Sequence, residues 1–380
     1  MQVMIRSLLL TTIALAAPVA VAQTKAAPSK PAPTTNPAHR GYVLADLNRD
    51  GIPPLLPAGD KTTPAQWEAK REAIRSIWLD YIGGLPPRVA TKYEVVSETP
   101  EKDHVRQKII YDTVYGDRVT AYLLIPNSVR ESGRKAPAVI ALHGTGEPGK
   151  NSVATETGKR PYGFELVSRG YIVLAPDALT SGDRIYPGLK YFRDAPFYKQ
   201  HPTWTTVGKN LTDHMQGVDL LAGHELVDAE RIGAIGHSFG AYNAFFLAGA
   251  DSRIKAAVAS CGFNPFTGSR TPGHWGVRDW YTHMPRITPD LERGRVPFEF
   301  NEIAALAAPT PLFFYNAQSD GGVPHWKVVG DCMLDLRKLY VWMKAEERFA
   351  SVLGVGVHDF PEPIRKMSYD FLDRWLTSRP

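Results

Sequence analysis

Three residues far apart in the chain have the types that nucleophilic acyl transfer requires. Ser238 lies in GAIGHSFGAYNA, two residues after Gly236 and two before Gly240. Small residues at those spacings let a serine stand on a sharp strand-to-helix turn, where the backbones on either side crowd together. The pentapeptide alone is equally a glycine–serine turn without chemistry, so its neighbours must decide. A serine hydroxyl needs a base at neutral pH. His358, in GVGVHDFPEP, follows a predicted last strand and precedes a predicted last helix, the loop from which an imidazole reaches over a sheet edge. The base in turn needs an acceptor that fixes its tautomer and stabilises the imidazolium. Asp320, in NAQSDGGVP just past PLFFYN, fits that role, in the chain order Ser, Asp, His. Asp331, Asp335 and Glu302 fall in predicted helices, and Asp359 adjoins the base itself.

A tetrahedral oxyanion needs preorganised donors. One is the backbone N–H of Phe239, directly after the serine at the start of the next helix. The second is expected from the turn His143-Gly144-Thr145-Gly146, with the N–H of Thr145 favoured and Gly144 as its possible replacement. That turn lacks the spacing and the Lys-Ser/Thr ending of a phosphate-binding loop. His143 belongs to this different turn, and His237 is expected to point away from the base.

These groups must be carried by a scaffold, and the hydrophobic pattern supplies one. APAVIALHGTG, YIVLAPDAL, RIGAIGHS, IKAAVASCG and TPLFFYNAQSD are short apolar runs of the kind buried on both faces, mostly separated by helical stretches. The alternation predicts an α/β fold with a mostly parallel sheet. Before it, KYEVVSE, VRQKIIYDTV and RVTAYLLIP read as an antiparallel lead-in, and Trp67, Ile74, Ile77, Trp78 and Tyr81 recur at helical spacing. Residues 263–300 break the alternation with prolines, glycines, histidines and aromatics, and read as a lid-like insertion over the ligand face of the sheet. Trp275, Trp280 and Tyr281 within it are the candidate substrate-binding residues; the plainer alternative makes them core of the insertion.

The chain has 380 residues and a formal charge of +5, with basic residues scattered among acidic ones, which argues against a nucleic-acid partner. Residues 1–22 read as a signal peptide, with Arg6, an apolar run from Leu8 to Ala17 and Ala20-Val21-Ala22 before the cut. That run is shorter than a membrane span, so the mature form is expected in the periplasm or outside the cell, without a membrane partner. Residues 23–40 read as a disordered linker and 41–380 as the folded domain. Cys261 and Cys332 are both expected as buried free thiols, and no spacing implies a metal or another cofactor.

Taken together, ALHGTG, APDALTSGDR, IGHSFGAYNAFF and HDFPEPIRKMSYDFLDRWL resemble the α/β-hydrolase superfamily, in particular its dienelactone-hydrolase-like and acetyl-xylan-esterase-like secreted members. The likeness runs from about Ala136 to the C-terminus. It implies an eight-stranded, mostly parallel sheet and a Ser238–Asp320–His358 triad that cleaves carboxylic esters through an acyl-enzyme. Dienelactone hydrolases carry a cysteine at the elbow, so their lactone substrate does not carry over. The expected activity is therefore an exported serine carboxylesterase (EC 3.1.1.-) acting on a small-molecule or oligosaccharide ester, with acetylated or feruloylated carbohydrate as the substrate class. Two other readings are a serine peptidase of oligopeptidase type and a non-catalytic hydrolase-fold binding protein.

Overall fold

The computed structural model describes residues 41–321 and 325–377; the expected signal peptide and linker lie outside them. Nine strands form one sheet: β1 Tyr93–Pro100, β2 His104–Asp112, β3 Arg118–Pro126, β4 Ala136–Leu142, β5 Ile172–Pro176, β6 Val227–His237, β7 Ile254–Ser260, β8 Leu312–Ala317 and β9 Phe349–Gly354. Across the sheet they run β9-β8-β7-β6-β4-β5-β3-β2-β1. β4 to β9 run parallel to one another, whereas β1, β2 and β3 pair antiparallel with each other and β3 pairs antiparallel with β5. The count of eight is thus corrected to nine, because all three lead-in segments join the main sheet. The edge strand, β1, which the sequence marks as part of the lead-in, is exposed along its whole length.

The apolar runs are buried on both sides, as crossover connections require. In β4, Ala138, Ile140 and Leu142 join one core, and Val139 and Ala141 join the other. Four long helices pack on the first face: α1 Pro64–Ile82, α2 Thr206–Gly223, α3 Phe239–Ala250 and α4 Trp326–Trp342. α5, Glu362–Leu376, packs on the second through Tyr369, Leu372 and Leu376. α1 begins at a capping box in which Thr63 and Gln66 satisfy each other's backbone N–H groups, and it buries Trp67, Ile74, Trp78 and Tyr81. α3 has no polar face because every residue from Phe239 to Gly249 is buried.

The chain from β7 to β8 is loop-rich and firmly seated. Its Phe263, Phe266, Phe298 and Phe300 belong to the main core. Glu299, fully buried, accepts hydrogen bonds from the N–H groups of Phe266, Thr267 and Phe300 at 2.9, 2.8 and 2.7 Å and from the Thr267 hydroxyl at 2.6 Å. Burial raises its pKa, and these donors oppose the rise. One carboxylate therefore ties the start of the insertion to its end.

Between β6 and α3 the chain turns at Ser238, with φ 58° and ψ −119°, a region that costs a non-glycine residue about 1–3 kcal/mol. The turn closes only because its flanks are glycines. A Cβ on Gly236 would lie 2.1 Å from the Gly240 carbonyl oxygen, and one on Gly240 would lie 1.9 Å from that of Leu142. Gly240→Ala has no flexible side chain to displace, so it is expected to destabilise the fold by about 3 kcal/mol or more. Denaturant unfolding with an unshifted midpoint would refute that steric account.

Candidate active site

Ser238, Asp320 and His358 come from three different loops at one edge of the sheet. Ser238 stands at the end of β6, Asp320 three residues past β8, and His358 in the loop between β9 and α5. His358 Nε2 lies 2.8 Å from Ser238 Oγ, and its Nδ1 lies 2.7 Å from Asp320 Oδ2. Asp320 is buried and accepts, so Nδ1 carries the proton and Nε2 is left to accept from the serine hydroxyl. That is the hydrogen-bond order in which an imidazole can remove the serine proton as the hydroxyl attacks.

The Phe239 N–H opens α3 directly after Ser238, where unpaired helix N–H groups favour negative charge. Thr145 lines the same cavity as Ser238 and Phe239. The turn that carries it is close, since a Cβ on Gly144 would sit 3.3 Å from the His237 carbonyl oxygen and 3.6 Å from Ser238 Cβ. Among the described residues, neither N–H donates to a backbone carbonyl.

Several residues that hold this geometry gave no signal in the sequence. His143 accepts the Ala178 N–H through Nε2 at 3.0 Å, so its Nδ1 carries the proton and donates to the Gly144 carbonyl at 2.7 Å. Burial lowers its pKa and keeps the ring neutral in this bridge. Behind the same turn, Lys150 is buried and donates to Asp177 at 2.5 Å and Asp183 at 2.8 Å, and Asp177 also accepts the Lys150 N–H at 2.9 Å. On the base loop, Arg160 donates to Asp359 Oδ1 at 2.8 Å and to the His358 carbonyl at 3.2 Å.

His237 does not point away from the base. Its ring lies 4.9 Å from that of His358 and stacks at 6.1 Å on Phe360. Burial, with Arg160 and His358 nearby, holds its pKa well below the usual imidazole range, so it supports His358 as a neutral ring. Cys261 brings its sulfur near Asp320 and His358, and ligand-type atoms of the three lie within 4.8 Å of one another. Burial, then the Asp320 charge, pushes its thiol up to about 12. The two partners are already bonded to each other, so the set reads as a protonated thiol beside the hydrogen-bonded Asp320 and His358. Cys332 is likewise a buried free thiol.

The cavity at Ser238 has a volume of about 80 Å³ and is lined on its far side by His274, Trp275, Arg278, Trp280 and His283 of the insertion. Trp280 is half-buried and carries the Arg278 guanidinium 4.3 Å from its ring centroid. Trp275 reaches the cavity but is mostly core, stacked at 4.4 Å on Phe300, with its indole N–H on the Asn264 carbonyl at 3.0 Å. Tyr281 must be corrected as a substrate-binding candidate. It is buried, its hydroxyl accepts from Asn210 at 3.0 Å, and its ring packs 4.8 Å from Phe192. An aromatic run in a loop does not reveal which rings turn inward.

The sheet order, the serine elbow at the end of β6 and the loops that bring up Asp320 and His358 decide the fold. The chain is an α/β hydrolase in architecture. Residues 162–330, which include Ser238 and Asp320 but not His358, match the prolyl oligopeptidase family. YtaP of Bacillus subtilis (strain 168), whose name places it only among hydrolases, is 24% identical over 310 residues, 78% of this chain and 96% of the relative. The glucuronoyl esterase from Solibacter usitatus superposes with a TM-score of 0.64 at 17% identity, over 85% of this chain and 97% of that one. Acetyl xylan esterase 1 from Thermoanaerobacterium sp. JW/SL YS485 does so with a TM-score of 0.51 at 14% identity, over 81% and 94%. At these identities the structural likeness describes the fold.

Asp320→Asn keeps the shape of the carboxylate but frees the imidazole to adopt the wrong tautomer, so kcat is expected to fall by about 10³–10⁴. Steady-state rates on an ester that the wild type hydrolyses check this, and a loss under tenfold would remove Asp320 from the relay.

Proposed function

We propose that the chain is an exported serine carboxylic-ester hydrolase. The observation that carries the reading is the continuous relay from Ser238 through His358 to Asp320, 2.8 and 2.7 Å long, at a strained elbow. In the first half-reaction His358 takes the Ser238 proton as Oγ bonds to the ester carbonyl carbon. The N–H groups of Phe239 and Thr145 hold the oxyanion. Collapse expels the alcohol, protonated by His358, and leaves the acyl group on Ser238. Water, deprotonated by the same imidazole, then attacks the acyl-enzyme and releases the carboxylic acid and free serine.

The substrate class we propose is a carbohydrate ester. Support comes from the esterase names of the fold's solved neighbours and from Trp280, whose half-buried ring can stack on a sugar or phenolic ring. The small cavity favours a short acyl group over a long chain. Export, with the mature chain starting at Gln23, is part of the same proposal and rests on the sequence pattern of residues 1–22. The family match over residues 162–330 favours one second reading, a serine peptidase of oligopeptidase type.

A fluorophosphonate probe is expected to add once, at Ser238, and the protein to turn over acetyl, feruloyl or methyl-glucuronoyl esters faster than an aminoacyl-anilide. The reverse preference would install the peptidase. Folded protein without an adduct would leave a binding module. Ser238→Ala and His358→Ala are each expected to lower kcat by about 10⁴ or more, with the double variant scarcely worse, since the groups act as a unit. Multiplying losses would separate them.

A further inference from the structure

Among the residues lining the cavity at Ser238, Arg278 alone carries a permanent charge, and no carboxylate is among them. Its guanidinium is only partly exposed, and its partners are all neutral. Nε donates to the Tyr281 carbonyl at 3.1 Å, one terminal nitrogen lies 3.2 Å from His274 Nδ1, and the other lies 3.3 Å from His283 Nδ1. Both imidazoles are acceptors here. Burial, then Arg278 itself, pushes His274 down to about 4, and burial, with His274 and Arg278 nearby, holds His283 well below the usual range. His283 is further fixed through Nε2, 2.7 Å from the Tyr242 hydroxyl.

These three bonds use three of the five guanidinium N–H groups. One N–H on each terminal nitrogen has no partner among the described residues, so the guanidinium keeps two N–H groups with which to meet an anion. Trp280 covers the guanidinium face at 4.3 Å, which holds its plane. Arg278 and Trp280 also line an open cleft of about 460 Å³, together with Arg193, Asp194 and Asp279. A partly buried guanidinium without a bonded carboxylate costs free energy, and burial lowers its pKa against the raising influence of Tyr242, Tyr281, Asp194 and Asp279. Arg184, by contrast, pairs with Asp117 and Asp213 at 2.8 and 2.9 Å.

We propose that Arg278 is a specificity-determining residue that selects esters bearing a free carboxylate, meeting that group with its remaining N–H groups in the cavity it shares with Ser238. The inference rests on the esterase reading of Ser238 and names its substrate class more closely. The alternative is that Arg278 only stitches the insertion together.

The test compares kcat/KM for charged and neutral near-isosteres in wild type, Arg278→Gln and Arg278→Lys. Monoethyl succinate against ethyl levulinate places the charge on the acyl side, and O-acetylglycolate against acetoxyacetamide places it on the alcohol side. In at least one pair the wild type is expected to prefer the charged member. Arg278→Gln is expected to lower the charged-to-neutral ratio by about 10- to 100-fold, mainly through KM, and Arg278→Lys to keep part of the preference. A wild type without preference, or ratios within about twofold in Arg278→Gln, overturns the proposal, because a stitch lost from the insertion slows both members of a pair alike. Should Arg278→Gln fail to fold, a ratio unchanged in Arg278→Lys overturns the proposal in the same way. Failure of the esterase reading looks different, with no fluorophosphonate adduct on Ser238 and no turnover of any of the four.

Discussion

The close approach of three backbones around Ser238 is the constraint on which everything else depends. β6 enters the turn, α3 leaves it, and β4 lies alongside, with Gly236 opposite Leu142 in β4 and Ala259 in β7. No side chain fits at Gly236 or Gly240 without meeting a carbonyl oxygen. The resulting strain at Ser238 is held by the backbone. Its N–H donates to Ser260 at 2.7 Å, and its carbonyl accepts from Ala241 at 3.0 Å. These bonds lock the serine above the sheet edge and aim the first free N–H of α3 at the same point. The geometry that makes the hydroxyl accessible is thus inseparable from the packing that makes the sheet close.

Around that point the other groups arrive on loops, and loops need anchors because their backbones lack ladder partners. The anchors are charged or polar groups with neighbours from distant parts of the chain. Asp177 and Lys150 pin the Thr145 turn from behind, and a Cβ at Gly149 or Gly182 would collide with the Asp177 carboxylate. Arg160 holds the loop of His358, and Glu299 closes the insertion on itself. Burying such charges is costly unless every lone pair and proton is met. Here they are met by donors and acceptors on the very loops that must stay still.

Arg278 stands apart from that pattern. The basic anchors Lys150 and Arg160 pair with carboxylates, whereas Arg278 hydrogen-bonds to neutral acceptors and lies against an indole face. The same insertion that shields the cavity therefore sets its electrostatic character. A neutral ring, His237, packs beside His358, and a permanent cation, Arg278, lines the same cavity as His358. Among the described residues lining the cavity, Arg278 is the one with a permanent charge.

The sequence by itself determined the features that are local. Apolar runs of strand length separated by helical stretches specify a parallel sheet, because strands covered on both faces have no polar side to alternate. Glycines two residues either side of Ser238 specify the elbow, since only that residue type survives the approach. The positions of Asp320 and His358 just past strands place them at one sheet edge, whatever the register. The tertiary structure alone decided what depends on residues distant in sequence meeting. It made β1 a ninth strand although no face of it is buried, and it turned Tyr281 into the core while leaving Trp280 at the cavity. It also recruited His143, Lys150, Arg160 and Arg278. A charged side chain reads in sequence as solvated surface, and only the packing around it reveals whether it has lost water and what has replaced it.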